Sequence, residues 1–288
     1  MGQCKYCGQN AGWFKDSHDA CAAACQSGIQ QILGLVTSAV EEQKPYSDIS
    51  PKIQQLTSEC HVAPEALHNT LVEGVNQGAQ KLGFHEPLSV DKHHLFQNFI
   101  KEAKLSEQEL RTTDGYKTAV FSLCLWSVLQ GKAAEVCGEL EHPFNLQEGE
   151  HQIMIFGSVV YLQETVSRSR QGGFAGVSVP VGHGMYYHIG GFQSRPVETT
   201  SMKELDYGRL LLTTRNMYFG GDHKNFRLPY EHVVRFEYYS DGLGFSRDSA
   251  NSRPEIFKVS NPGSAYGWFL FNTAHFLAQP DAQKLYSA

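Results

Sequence analysis

Four residues near the N-terminus have side chains that commonly bind metal ions: Cys4, Cys7, His18 and Cys21. They form the pattern CxxC, ten residues, HxxC. A CxxC turn brings two thiolates to one ion without long-range folding, and zinc takes thiolate and imidazole ligands tetrahedrally. Four protein ligands leave no open position for water or substrate. The spacing therefore predicts one structural zinc ion per chain, with ordinary buried cysteines as the alternative.

The local sequence also predicts the backbone that positions these ligands. Gly8 follows the first pair, where the turn needs a positive φ angle. Asp16 or Ser17 can cap a helix that begins near His18, which places His18 and Cys21 on one helical face. Apolar residues between the two pairs predict a short hairpin that covers the metal: Ala11, Trp13 and Phe14. A knuckle, a hairpin and a helix with the last two ligands resemble a treble-clef zinc finger, confined to residues 1–30.

A second set of ligands is compatible with the same sequence. Cys25 lies four residues after Cys21 and seven after His18, so all three share a helical face. Cys25 could therefore replace His18 as the fourth ligand. We favour the set that contains His18 and keep Cys25 as the alternative.

Length and composition predict an ordered protein in a reducing compartment. The chain has 288 residues, of which 41% are hydrophobic, enough for one or two cores. It has no run of about 18 apolar residues and no apolar core of a secretory signal near its start. Its seven cysteines are an odd number, and four or five of them lie near the metal motif. We therefore expect a cytoplasmic protein without a transmembrane segment.

The charge of the chain is distributed unevenly. Residues 1–150 contain 11 Lys and Arg against 19 Asp and Glu, whereas residues 151–288 contain 13 against 11. Nucleic-acid binding requires clustered cations that neutralise phosphates. The acidic first half therefore argues against nucleic acid as a partner, despite the finger-like motif.

Apolar residues at helical spacing continue from the metal motif to residue 147. They predict a long helix from Ser17 to Gln43, stopped by Pro45. Further helices are predicted through Ile53 to Cys60, after Pro64, after a Ser89 cap, and after a capping box formed by Ser106 and Glu109. We interpret residues 31–147 as a helical domain with an architectural or partner-binding role.

The pattern changes to β after Gly149. Short runs of β-forming residues alternate with Gly, Asp and Asn turns. These runs predict eight strands: Ile153 to Leu162, Val177 to Val181, Met185 to Ile189, Leu210 to Thr213, Met217 to Gly220, Val233 to Tyr239, Leu243 to Ser246 and Ile256 to Val259. A last helix, Ala265 to Leu277, presents an apolar face that can plug an open barrel end.

The segment from Gly208 to Asp248 resembles a bacterial PH-like or GRAM-like domain. Its features are a strand ending in Thr213, a Thr-Arg-Asn turn, a strand ending at Gly220, a segment from Phe226 to Tyr230, and an Asp-Gly turn between two strands. Together with the zinc motif and the helical periodicity of the first half, the resemblance implies an α+β protein: a zinc-stapled helical domain followed by an antiparallel PH-like β-barrel with a C-terminal helix. It assigns residues 148–288 to that domain.

The resemblance also implies binding rather than catalysis, because PH-like barrels bind phosphoinositides, peptides or protein partners. Arg168 and Arg170, in the loop expected after the first strand, match the place of basic residues for inositol phosphates, with Lys224 and Arg227 as helpers. Four cations spread over some sixty residues are weak evidence for an anion-binding site. We therefore predict a non-catalytic adaptor that binds a protein partner, with phosphoinositide or anionic-membrane binding as the alternative.

An enzyme is the third hypothesis. Four histidines fall in or near predicted turns: His183, His188, His223 and His232. Four tyrosines could line a pocket with them or simply pack the barrel: Tyr207, Tyr230, Tyr238 and Tyr239. The sequence has no nucleophile elbow and no fixed-spacing carboxylate pair. A hydrolase on this β face is therefore the least favoured of the three functions.

Overall fold

The computed structural model describes residues 2–12, 15–85, 87–137, 141–182, 185–250, 252–260 and 264–286. They form a helical first half and a second half built on one curled antiparallel sheet, a half-barrel. The prediction of a mixed α and β protein is confirmed at this level. Among the described helices, none combines the length and the apolar character needed to cross a membrane.

The helical half begins at the metal motif and follows the predicted periodicity. A long first helix buries Ile32, Val36 and Val40 on one face, at the three- and four-residue spacings seen in the sequence. The Ser89 side chain caps the fourth helix by accepting a hydrogen bond from the backbone N–H of Lys92. The helices are α1 (Asp19–Glu41), α2 (Tyr46–Glu59), α3 (Pro64–His85), α4 (Val90–Glu102), α5 (Glu107–Leu110), α6 (Asp114–Leu129) and α7 (Ala133–Val136).

Two predicted helix starts are wrong. His18, not Asp16 or Ser17, is the N-cap residue of α1, and its side chain makes no capping hydrogen bond. The helix predicted from Ser106 onward is interrupted, and the Ser106 side chain does not cap it. The longer helix α6 instead begins after Thr113, whose hydroxyl accepts a hydrogen bond from a backbone N–H of the first turn.

In the part of the chain that the structure describes, the sheet has seven strands, and every neighbouring pair is antiparallel. Their order is β6-β5-β4-β3-β9-β8-β7, which leaves β6 and β7 at the edges. A separate small sheet pairs β1 with β2. The strands are β1 (Gly2–Gln3), β2 (Asn10–Gly12), β3 (Gln152–Gly182), β4 (Met185–Thr213), β5 (Asn216–Gly221), β6 (Asn225–Pro229), β7 (Val233–Tyr239), β8 (Gly242–Arg247) and β9 (Glu255–Val259).

Two of these strands are far longer than predicted. The runs near Ile153 and Val177 belong to one strand, β3, and the runs near Ile189 and Leu210 belong to one strand, β4. The ladder continues through the glycines that predicted turns, for example where Gly176 pairs with Gly190. Glycine accepts extended dihedral angles as readily as turn angles, so its presence alone does not end a strand. Beyond Gln163, the described partner of β3 is β4 alone.

This continuity corrects the loop predicted to contain two cations. Arg168 and Arg170 lie within β3, where they pair with Glu198 and Pro196 of β4. Their side chains lie outside what the structure describes, so their predicted role in anion binding stays a prediction.

Helix α6 is shared by two apolar cores. Its first turns contribute Tyr116 and Ala119 to the core of the helical half. Its later turns contribute Leu125 and Val128 to the core of the sheet, which also receives the C-terminal helix α8 (Ser264–Leu277). A short helix α9 (Pro280–Lys284) follows. The last long helix, which was predicted to plug an open barrel end, packs on β7 and β8 of the half-barrel and also contacts α6.

Candidate metal centre and cationic cavity

The four predicted ligands converge at one point. The Cys4, Cys7 and Cys21 sulfurs and a His18 ring nitrogen all lie within 4.8 Å of one another. The Cys7 Sγ is 3.5 Å from the His18 Nδ1, and the Cys21 Sγ is 3.6 Å from the same nitrogen. These residues can therefore bind a metal ion, and the donor set of three sulfurs and one imidazole is soft.

Backbone hydrogen bonds hold the ligands in place. The Gly8 N–H donates to the Cys4 carbonyl at 2.8 Å, and the Cys4 N–H donates to the Gln9 carbonyl at 2.7 Å, which closes the knuckle between β1 and β2. Gly8 has a φ of 71°, as predicted for this turn. The His18 Nε2 lies 3.0 Å from the Asn10 carbonyl oxygen, so a proton on Nε2 leaves Nδ1 free to act as ligand.

The cysteines of the centre differ in acidity. Burial raises the pKa of Cys4, but backbone N–H groups of Cys7, His18 and Tyr6 outweigh it and lower the pKa to about 6. Burial, together with the neighbouring thiols of Cys7 and Cys4, raises the pKa of Cys21 to about 11. A thiolate at Cys4 is thus stabilised by the fold itself, whereas Cys21 needs a cation beside it to lose its proton.

Cys25 lies apart from this group. Its side chain is buried in the core of the helical half, among the residues that pack α1 against its neighbours. The two apolar residues predicted to cover the metal, Trp13 and Phe14, lie outside the described residues, whereas Ala11 is buried in β2.

The sheet carries a second site, a polar cavity of about 470 Å³. It lies where the start of β3, the loop between β5 and β6, and the loop between β8 and β9 meet. Three cations line it, Lys224, Arg247 and Arg253, and the only acid among the described lining residues is Glu255. Further polar residues of the lining are His223, Gln163, Asn225, Tyr161 and two serines.

Arg247 is fixed by a buried carboxylate. Its Nε and Nη2 donate to the two Glu255 oxygens at 2.8 and 2.7 Å, a bidentate pair, while the guanidinium lies 4.5 Å from the Phe226 ring centroid. The Tyr161 hydroxyl also donates to Glu255, which has a side chain only 4% exposed. Because this pair is neutral, Lys224 and Arg253 supply the net charge. Neither has an ion-pair partner within the described ranges.

The loop that carries Lys224 is held rigidly. The Asp206 carboxylate accepts the backbone N–H groups of His223 at 2.8 Å and Lys224 at 2.6 Å. These two hydrogen bonds outweigh desolvation and hold the pKa of Asp206 below its ordinary value. An ionised Asp206 therefore fixes the backbone while the two side chains remain exposed at the cavity.

Two of the predicted anion-binding residues, Lys224 and Arg227, line different cavities. Arg227 lies on β6 beside a different cavity of about 310 Å³, together with Arg215. Arg247 and Arg253 were missed by the sequence analysis. They lie about 25 residues beyond Lys224 in the chain, and only strand pairing brings them to the same place. No local sequence motif indicates that these three cations lie close together.

The residues of the enzyme hypothesis do not converge in the described part of the chain. His223 lines the cationic cavity, whereas exposed His232 lies 3.7 Å from Glu231. Tyr230 is buried and donates its hydroxyl to the Thr213 carbonyl oxygen at 3.1 Å, a packing role. Tyr207, Tyr238 and Tyr239 are exposed. His183 and the side chain of His188 lie outside the described residues.

No protein-family model matches the sequence, and no curated protein shows significant similarity to it.

Proposed function

We propose that the chain is a non-catalytic binding protein whose N-terminal centre holds one structural zinc ion. Zinc bonds of about 2.3 Å to sulfur and about 2.1 Å to nitrogen, at tetrahedral angles, separate the two ligand atoms by about 3.6 Å. The His18 Nδ1 lies 3.5 and 3.6 Å from two cysteine sulfurs. A zinc ion there staples the start of α1 to the β1–β2 hairpin and supplies stability rather than chemistry.

We further propose that the curled sheet and α8 form a PH-like domain. Two features of the arrangement support this. Strands β3 to β6 lie side by side in one part of the sheet and β7 to β9 in the other, and α8 packs on β7 and β8. The predicted Asp-Gly turn joins β7 to β8, with Gly242 paired to Tyr239. This turn is one of the features by which the sequence resembles that family.

The ligand that we propose for this domain is the phosphorylated headgroup of an anionic phospholipid. The observation that carries the proposal is the cavity with a net positive lining, in which Lys224 and Arg253 are exposed without described ion-pair partners. Arg247 presents a rigid guanidinium beside them, oriented by Glu255. Fixed guanidinium and ammonium donors bind phosphate oxygens through charge-assisted hydrogen bonds.

Vesicle sedimentation tests this proposal. The full chain should bind phosphatidylcholine vesicles that contain phosphatidylinositol bisphosphate and should not bind phosphatidylcholine alone. Each cation near an anionic surface contributes about 1 kcal/mol, so the double variant Lys224→Ala, Arg253→Ala should bind about 30-fold more weakly. Soluble inositol trisphosphate should compete if the headgroup is the ligand, whereas competition by inorganic phosphate alone would indicate a free anion.

A matched control removes the same charge elsewhere. Lys52 and Lys101 are exposed on helices of the first half, so the variant Lys52→Ala, Lys101→Ala should keep wild-type vesicle binding. Equal losses in the two double variants would mean that net charge, and not the cavity, governs binding. Wild-type binding by the Lys224, Arg253 variant would contradict the proposed site.

A protein partner is the second function, supported by edge strand β7. Within the described residues this strand pairs with β8 on one side only. Val234 and Tyr238 on it are 64% and 52% exposed, large values for apolar and aromatic side chains. An extended peptide can add to such an edge through main-chain hydrogen bonds, with its side chains on the exposed residues.

Peptide display distinguishes this function from lipid binding. Extended peptides of about six residues, the usual length of a strand, would be selected on the full chain and tested against Val234→Lys, Tyr238→Lys. Hydrogen exchange on the complex should show new protection of β7 backbone amides. Protection confined to other strands, or binding unchanged by both substitutions, would exclude the edge as the docking surface.

A further inference from the structure

A second cavity of about 470 Å³ lies between the helical half and the sheet, and nothing in the proposed function uses it. One wall belongs to α6, one to the start of β3 and one to α8. The apolar and aromatic residues of the lining include Val120, Phe121, Met154, Ile155, Phe156 and Tyr266. Its volume falls within the range of about 300–1,000 Å³ that is common for small-molecule sites.

The deep wall of this cavity is aromatic and already packed. The Phe121 and Tyr266 ring centroids are 5.1 Å apart, and those of Phe156 and Tyr266 are 6.1 Å apart. Phe121 and Phe156 are buried, so their rings are held by the core of the sheet. Such a wall offers water few hydrogen bonds and favours an apolar ligand group.

A β-bulge lies beside the mouth of the cavity. Phe156 pairs with Leu210 and Val159 pairs with Gly208, so two residues of β3 stand opposite one residue of β4. One of the two is Gly157, where an added Cβ would have no neighbour within 4 Å. The bulge therefore leaves open space at the point where β3 borders the cavity.

The described charged residues of the lining are both cations. Arg111 lies in the turn before α6 and Lys117 in the first turns of this helix. Their acidic partners, Glu107 at 3.8 Å and Asp114 at 3.5 Å, do not belong to the described lining. A ligand in the cavity thus meets apolar walls and a cationic rim.

We propose that this cavity binds a long-chain fatty acid, with its acyl chain against the aromatic wall and its carboxylate at Lys117 and Arg111. The apolar walls and the open space at the bulge are suited to an acyl chain. Each of the two cations on the rim already faces an acid, but Arg has five N–H donors and Lys three, which leaves donors for a ligand carboxylate that a neutral lipid lacks. This site is separate from the cationic cavity of the sheet.

Titration of the full chain with palmitate, and with hexadecanol as the uncharged ligand of equal chain length, tests the proposal. Displacement of a fluorescent fatty acid reports both affinities. Palmitate should bind about tenfold more tightly than hexadecanol, the effect of one charge-assisted contact. The variant Arg111→Gln, Lys117→Gln should lose this tenfold preference and keep its affinity for hexadecanol. The matched variant Lys52→Gln, Lys101→Gln should behave as wild type.

A second variant tests the place of the acyl chain. Gly157→Leu adds a side chain into open space, so the protein should keep its thermal unfolding midpoint while both ligands bind at least about tenfold more weakly. Three results would overturn the proposal: no palmitate binding by the wild type, hexadecanol bound as tightly as palmitate, or affinities unchanged in both the charge variant and Gly157→Leu.

Discussion

The Tyr286 hydroxyl donates a hydrogen bond to the Val128 carbonyl oxygen at 2.6 Å, across 158 positions of the chain. Val128 is buried at the C-terminal end of α6, the helix whose residues belong to both apolar cores. This contact ties the end of the chain to the element that joins the helical half to the sheet. The two halves therefore share one structural element instead of meeting only through a linker.

Tyr286→Phe should lower the free energy of unfolding by about 1 kcal/mol, the usual contribution of one hydrogen bond. Because α6 serves both cores, urea unfolding followed by helical circular dichroism and by tryptophan fluorescence should give one shared transition. Tyr207→Phe is the control, since Tyr207 is 53% exposed. Separate transitions for the two signals would show that the halves unfold independently.

Cys7→Ser should remove the bound metal. Elemental analysis of the purified wild type should give about one zinc ion per chain, because thiolate binding and local folding are coupled. The variant should bind far less zinc and unfold at a lower temperature, and a chelator should have the same effect on the wild type. Cys60→Ser is the control, since Cys60 lies outside the group of close ligand atoms. A folded wild type without metal would contradict the zinc assignment.

Glu150→Gln should destabilise the start of the sheet. The carboxylate is 6% exposed and accepts hydrogen bonds from Thr213, from the Asn216 side chain at 2.8 Å and from the Tyr218 hydroxyl at 2.7 Å. An amide presents an N–H₂ where one acceptor oxygen stood, so we expect a loss of about 2 kcal/mol in urea unfolding. Exposed Glu148→Gln should change the stability little.

The same network makes the folding stability depend on pH in the acid range. Burial raises the pKa of Glu150, but its hydrogen bonds, with Thr213 first, outweigh burial and hold the pKa below its ordinary value. The stabilisation is therefore complete above the unfolded-state pKa of about 4.3 and is lost as pH falls through the folded-state value. Glu150→Gln should flatten this acid limb of the stability curve, and an unchanged limb would exclude Glu150 as its source.

His93 should contribute a second dependence, at higher pH. Burial lowers the pKa of His93, the charge of His94 lowers it further, and the charge of Glu107 opposes both effects without outweighing them. The Nε2 of His93 has no hydrogen-bond partner among the described residues. The unfolded chain therefore takes up a proton near pH 6.5, where the folded chain does not. Stability should fall as pH decreases from about 7 toward the lowered folded-state value.

His93→Phe should reduce this decrease, since a phenyl ring also fits beside Phe96 and carries no proton-binding nitrogen. Urea unfolding at a series of pH values between about 7 and 5 measures the effect. Exposed His94→Gln is the control and should retain most of the slope. An identical slope in the wild type and in His93→Phe would assign the dependence to other groups.

The parts that the sequence predicted are those whose signals are local. The ligands of the metal centre lie within 18 positions, and a turn and one helical face bring them together. The helices follow their apolar periodicity, and the Ser89 cap was identified from its residue type. Caps at His18 and Thr113 were missed, because the choice between neighbouring polar residues depends on where the incoming chain turns.

The parts that the sequence did not predict depend on strand pairing. The lengths of β3 and β4 were hidden because glycine permits both turns and extended strands. The cationic cavity was only partly found, since Arg247 and Arg253 reach Lys224 through the register of the sheet. Arg247 is also held by Glu255 of the neighbouring strand. The spacing of these two residues in the sequence does not indicate that they form a pair.

The register of β3 with β4 has a consequence for the order of folding. Gln152 pairs with Thr213 at one end of a ladder that continues to Gly182 and Met185 at its other end. Pairing between residues so distant in sequence slows folding, because the chain must close a long loop before these contacts can form. Contacts within the helical half are nearer in sequence. We therefore expect the helical half, with its proposed zinc site, to form first and to serve as the template on which the sheet later closes.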